Sequence, residues 1–78
     1  MATKEHLIQV LERMPNVEEA TVIGDWRLIA TVVSGAFRDR NEAERQETVW
    51  SYIRDQLGSE ELQNIEFIIT NTPEETTS

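Results

Sequence analysis

At 78 residues the chain has room for one domain, and 15 acidic against 7 basic residues give it a formal net charge of −8. A field of that sign repels nucleic acid and anionic lipid wherever no local patch overrides it. The chain has no cysteine, which excludes disulfides, thiolate nucleophiles and thiolate-held iron–sulfur or zinc sites, and the lone His6 can build neither a multi-histidine metal site nor a triad.

The first predicted element is a helix. Leu7, Leu11 and Met14 recur at i, i+4 and i+7, and Ile8 and Val10 widen the stripe. Thr3 suits the N-cap, and Pro15 forces the end. Glu18 to Ile23 reads as a strand and Trp26 to Ser34 as a longer one, joined by Gly24-Asp25 as a two-residue hairpin turn. The second strand puts Trp26, Leu28, Ala30 and Val32 on one face and Arg27, Ile29, Thr31 and Val33 on the other, the pattern of an interior strand. After the charged connection Arg38-Asp39-Arg40, Asn41 and Glu44 form a capping-box start to the main helix. That helix carries Gln46, Val49, Trp50, Ile53 and Leu57 at helical spacing, with Gly58 as its stop. Ser59 to Leu62 fits one short helical turn, and Ile65 to Thr70 a last strand. Residues 73–78 have nothing to bury and read as a flexible acidic tail on a domain spanning residues 1–72.

The order α-β-β-α-(short turn)-β predicts an α+β fold. The strand–helix–strand stretch is long enough for a right-handed parallel crossover, giving a three-stranded mixed sheet with both helices on one face. The opposite face, with Ile29, Thr31 and Val33, is expected to stay partly open as an interaction surface. Monomer or weak homodimer is the expected state, any self-association running through that face or an edge strand.

Little in the chain carries chemistry. His6 reads as a solvated surface histidine, and the acid pairs Glu18-Glu19, Glu60-Glu61 and Glu74-Glu75 as solvated charge. Arg38, Arg40 and Arg45 lie close together and suit a bidentate grip on phosphate or carboxylate, yet local ion pairs with the interleaved acids and helix-dipole matching explain them without any ligand, and that is the favoured reading. Trp50 is expected in the core, and Trp26, just past the turn, as a half-buried interface anchor. No nucleophile–base pair, glycine-rich phosphate loop or metal spacing is present, so neither catalysis nor a cofactor is expected. No apolar run approaches the ~20 residues that span a bilayer, and the amino terminus lacks a cleavable signal pattern. The expectation is a soluble, cytoplasmic protein with no membrane partner.

Three phrases carry a family resemblance: Val32-Val33-Ser34-Gly35-Ala36-Phe37, Arg45-Gln46-Glu47-Thr48-Val49-Trp50 and Thr72-Pro73-Glu74-Glu75. In order and spacing they resemble the BolA-like family, in its glutamine-containing branch, whose fold is similar to class II KH domains. The resemblance implies an accessory protein that pairs with monothiol glutaredoxins, shares a bridged [2Fe–2S] cluster and takes part in iron–sulfur handling. The departures bear on the cluster. The family's histidine before the last strand aligns with Asn64, and the hairpin region offers Gly24, Asp25, Trp26 and Arg27 without histidine or cysteine. Gln46 stands at the other branch's histidine, and Asp39 at the loop glycine. An amide is a poor ligand for iron, so the resemblance implies an interaction module without its own cluster ligand. The alternative is a KH-like nucleic-acid-binding transcriptional regulator. The arginine cluster favours it locally; the net charge and the missing Gly-x-x-Gly loop oppose it. The residues expected to meet a partner are Trp26, Arg27, Arg38, Arg40, Arg45 and Asn64.

Overall fold

Thr3 opens the first helix in the computed structural model, which describes residues 2–77: its hydroxyl accepts the His6 N–H at 3.2 Å. The elements are α1 (Lys4–Glu12), β1 (Val17–Ile23), β2 (Leu28–Ser34), a 3-10 turn (Gly35–Phe37), α2 (Glu42–Gln56), α3 (Ser59–Leu62), β3 (Ile65–Asn71) and α4 (Pro73–Thr77). The predicted order holds, with the 3-10 turn and α4 added to it. β2 is the central strand, antiparallel to β1 and parallel to β3. This is the expected α+β fold with a three-stranded mixed sheet. Among the described residues, no helix is long and apolar enough to cross a membrane.

The alternation of β2 sets the two sides of the sheet. Leu28, Ala30 and Val32 are fully buried and meet Leu7, Val10 and Leu11 of α1 and Val49 and Ile53 of α2. Burying one such leucine or isoleucine contributes about 1.5–3 kcal/mol, so this helix-covered face holds the core. Met14 ends the stripe, and Asn16 then turns the chain with φ 68°, a left-handed conformation that asparagine tolerates. At α2 the predicted capping box is complete. Glu44 N–H donates to Asn41 Oδ1 at 2.9 Å, and Asn41 N–H donates to Glu44 Oε1 at 3.0 Å.

Three expectations are corrected. β2 begins at Leu28 rather than Trp26, and its first ladder bond runs from the Leu28 N–H to the Asn64 carbonyl at 2.7 Å on the β3 side. The last antiparallel pair is therefore Ile23 with Ile29, and the hairpin connection is longer than two residues. Gly24 closes it at φ +106°, where a Cβ would collide with the Arg27 carbonyl. Gly58 is not a left-handed stop. Leu57 leaves α2 with extended dihedrals and Gly58 is the N-cap of α3. Pro73 to Thr77 is a helix where a flexible tail was expected, because Thr72 and Glu75 cap it reciprocally. Thr72 N–H donates to Glu75 Oε1 at 2.8 Å and Glu75 N–H donates to Thr72 Oγ1 at 3.2 Å. Ser78 of the predicted tail lies outside the described residues.

On the other side of the sheet the cross-strand register builds rows. Ile23, Ile29 and Phe67 form one, Thr21, Thr31 and Ile69 the next, and Glu19, Val33 and Asn71 the third. α4 lies against β2 and β3 at the third row, where Pro73 and Thr76 flank Val33. Val33 is buried there. Ile23, Phe67 and Ile69 remain 62%, 48% and 40% exposed.

Candidate functional site

Two regions far apart in sequence meet at one end of the sheet. The hairpin residues Asp25 and Trp26, the Ala2–Glu5 segment and Asn64 line a shallow depression with a volume of about 370 Å³. Trp26 stands at its rim, 59% exposed, with the Arg27 guanidinium 5.3 Å from its ring centroid. Arg27 also lies 3.9 Å from Glu66 Oε1. Both side chains are accessible to solvent, Trp26 more so than the half-buried anchor expected.

Asn64 is placed differently. It is buried, its Oδ1 accepts the Ala2 N–H at 3.0 Å, and its Nδ2 donates to the Ala2 carbonyl at 2.9 Å. One donated and one accepted bond clasp the N-terminal segment, and burial keeps the side chain below the surface that a partner would touch. Expected as a contact residue, it is instead the floor of the depression. Among the described residues, no group of three or more His, Cys, Asp or Glu side chains converges on a point where a metal ion would sit. His6 Nδ1 lies 3.3 Å from Glu61 Oε2, linking α1 to α3.

The three arginines do not act as a unit. The Arg45 side chain is 11% exposed. Its Nε donates to the carbonyls of Phe37 at 3.1 Å and Arg40 at 3.0 Å, and its Nη1 reaches Glu75 Oε1 at 3.0 Å. Arg38 Nε donates to Glu74 Oε1 at 3.0 Å, and Nη2 grips the second oxygen. Arg40 donates to Thr48 Oγ1 at 3.1 Å and faces a cleft of about 350 Å³ beside Phe37, Ser51 and Tyr52. Two of the three are thus bound to acids of α4, partners 30 and 36 residues away rather than the interleaved acids of their own segment.

These pairs make α4 sensitive to pH. The hydrogen bond from Arg38 holds the Glu74 carboxyl below its ordinary value of 4.5. The bond from Arg45, followed by the Thr72 backbone N–H, does the same for Glu75. A depressed folded-state value means that the anchorage is fully present above about pH 4.5 and fades as pH falls through the lowered values. Amide exchange at Glu75 and Thr76 is expected to accelerate below pH 4 relative to Ile53 in α2, correcting for intrinsic rates. Uniform acceleration would show that the pairs hold nothing.

Gln46 is the residue whose role the sequence understated. Its Nε2 donates to the Ile68 carbonyl at 2.7 Å and to Glu42 Oε1 at 2.9 Å, while its Oε1 accepts the Trp50 indole N–H at 3.0 Å. Arg45 Nη1 reaches the next outward carbonyl of β3, that of Thr70, at 3.5 Å. Glu42, Arg45 and Gln46 on one side of α2 therefore cover the outer rim of β3. Trp50 is half-buried against the core rather than inside it.

Comparison with protein-family models, with curated proteins and with solved structures finds no match for this chain. The class of protein is set by the fold alone: a small α+β protein with a three-stranded mixed sheet.

Proposed function

We propose that the chain is a non-catalytic interaction protein of the BolA-like kind, acting in the cytoplasm. Its partner is a monothiol glutaredoxin, or another protein of iron–sulfur or redox homeostasis, and it contributes no cluster ligand of its own. One observation carries the reading. The hairpin loop and the turn before β3, the two places where the resemblance puts ligands, share one depression, and there they offer an exposed Trp26 and a buried amide. An aromatic rim beside a shallow polar floor suits a protein contact, since partly exposed tryptophan is enriched among the residues that dominate such interfaces. The nucleic-acid alternative has less support, because Arg38 and Arg45 already spend their charge on Glu74 and Glu75.

Titration calorimetry with an apo monothiol glutaredoxin is expected to show one-to-one binding that Trp26→Ala weakens tenfold or more, about 1.4 kcal/mol. Adding the chain to the cluster-loaded glutaredoxin is expected to leave the cluster's visible absorption unchanged. Lack of binding to either form overturns the glutaredoxin as the partner. A changed spectrum that survives His6→Ala overturns the statement that no ligand is supplied.

A further inference from the structure

The face of the sheet opposite α1 and α2 has its own chemistry, and none of its row residues lines the hairpin depression. Three of the four exposed large hydrophobic side chains among the described residues, Ile23, Phe67 and Ile69, stand in its first two rows, with Ile29 half-buried between Ile23 and Phe67. α4 covers the third row and leaves these two open. With strands about 4.8 Å apart and a rise of about 3.3 Å per residue, the uncovered area is roughly 10–15 Å on each side. That footprint matches two to three turns of an α-helix, about 10 Å across with its side chains.

Charge selects the occupant. Glu18 and Glu19 border the face at the α4 end, where Glu18 is held by the Gly35 N–H beside Arg38 and Glu19 is exposed, and Glu66 lies toward the other end with Arg27 against it. A second copy would bring another net charge of −8 against this rim. It would also bury far less than the ~800 Å² per partner of a standard interface. An anionic lipid surface meets the same repulsion.

We propose that the Ile23–Ile29–Phe67 and Thr21–Thr31–Ile69 rows form a docking surface for a short amphipathic helix of a partner protein, apolar on one side and flanked by lysine or arginine. The bound helix completes a second helical layer, continuing along the sheet the cover that α4 begins.

The test uses the full chain and a designed helical peptide of about twelve residues, leucine on one side and lysine on the other, long enough to cross the uncovered rows. A glutamate-for-lysine version and a scrambled one serve as controls. Nitrogen–proton correlation spectra are expected to show the lysine peptide shifting the amides of Ile29, Phe67 and Ile69, with Val49 and Ile53 of α2 unmoved. Phe67→Ser is expected to weaken binding at least tenfold and Glu19→Lys about threefold; both side chains are exposed, so both variants keep the fold. Glutaredoxin binding is expected to be the same in Phe67→Ser as in the unaltered chain, which separates this surface from the hairpin depression. The proposal is overturned by absence of binding, by equal binding of the glutamate or scrambled peptide, or by binding that Phe67→Ser leaves intact. Self-association in sedimentation that Phe67→Ser abolishes, or Phe67-dependent binding to phosphatidylserine vesicles, assigns the face to another occupant and equally overturns it.

Discussion

Replacing Arg45 by methionine is expected to destabilise the fold by about 2–4 kcal/mol, a large part of the 5–15 kcal/mol that holds a small domain together. Methionine keeps most of the aliphatic stem that packs near Phe37, so the loss is polar. The Phe37 and Arg40 carbonyls lose the Nε donor, and the Thr70 carbonyl loses its contact with Nη1. Each polar group left without a partner in a partly dry setting costs about 1–3 kcal/mol, and water recovers some of that at the Arg40 end. Arg45→Lys is expected to fall between, because an ammonium is a point donor and cannot reach two directions with a planar fork. Urea unfolding monitored by Trp50 fluorescence in a Trp26→Phe background measures both. A loss below about 0.5 kcal/mol for the methionine variant would show that solvent replaces the guanidinium at every carbonyl.

Asn64→Asp is expected to cost about 2–4 kcal/mol at neutral pH, although it exchanges one nitrogen for one oxygen. The amide now donates to the Ala2 carbonyl and accepts the Ala2 N–H. A carboxylate keeps the second bond but turns the first into two oxygens facing each other, and it places a charge at a buried position. The penalty is expected to shrink as pH falls, because a protonated carboxyl donates to the Ala2 carbonyl as the amide did. Unfolding at pH 7 and pH 4, each referred to the unaltered chain at the same pH, measures the change. A constant penalty would mean that the Ala2 segment has left the site.

The legible features were those whose partners sit close by in the chain. The Thr3 cap and the Asn41–Glu44 box each close within three residues, and both formed as the sequence implies. The alternation of β2 separated Leu28, Ala30 and Val32 from Ile29, Thr31 and Val33 correctly, since one covered face imposes a period of two. Long-range polar contacts left no such trace. The Asn64–Ala2 clasp spans 62 positions and the Arg38–Glu74 pair 36, so neither the burial of Asn64 nor the docking of α4 follows from local pattern. In β3 the consecutive Phe67, Ile68 and Ile69 erase the alternation. The structure buries Ile68 and leaves its neighbours out, because α1 and α2 cover one side of the strand while α4 on the other reaches only the row beyond them. Trp26 continued the apolar period of β2 and was read into the strand. The turn at Gly24, which folds the chain back against the Arg27 carbonyl, keeps it in the connection, and the strand starts two residues later at Leu28.

The hold of Gln46 and Arg45 on the carbonyls of Ile68 and Thr70 has a consequence for assembly. Cross-β fibrils lengthen because every incoming strand offers a fresh hydrogen-bonding margin for the next. In this chain two outward carbonyls of β3 are already engaged, so recruitment of strands is favoured at the β1 margin. Two molecules joined there would present their β3 margins outward, where the engaged carbonyls disfavour further stacking.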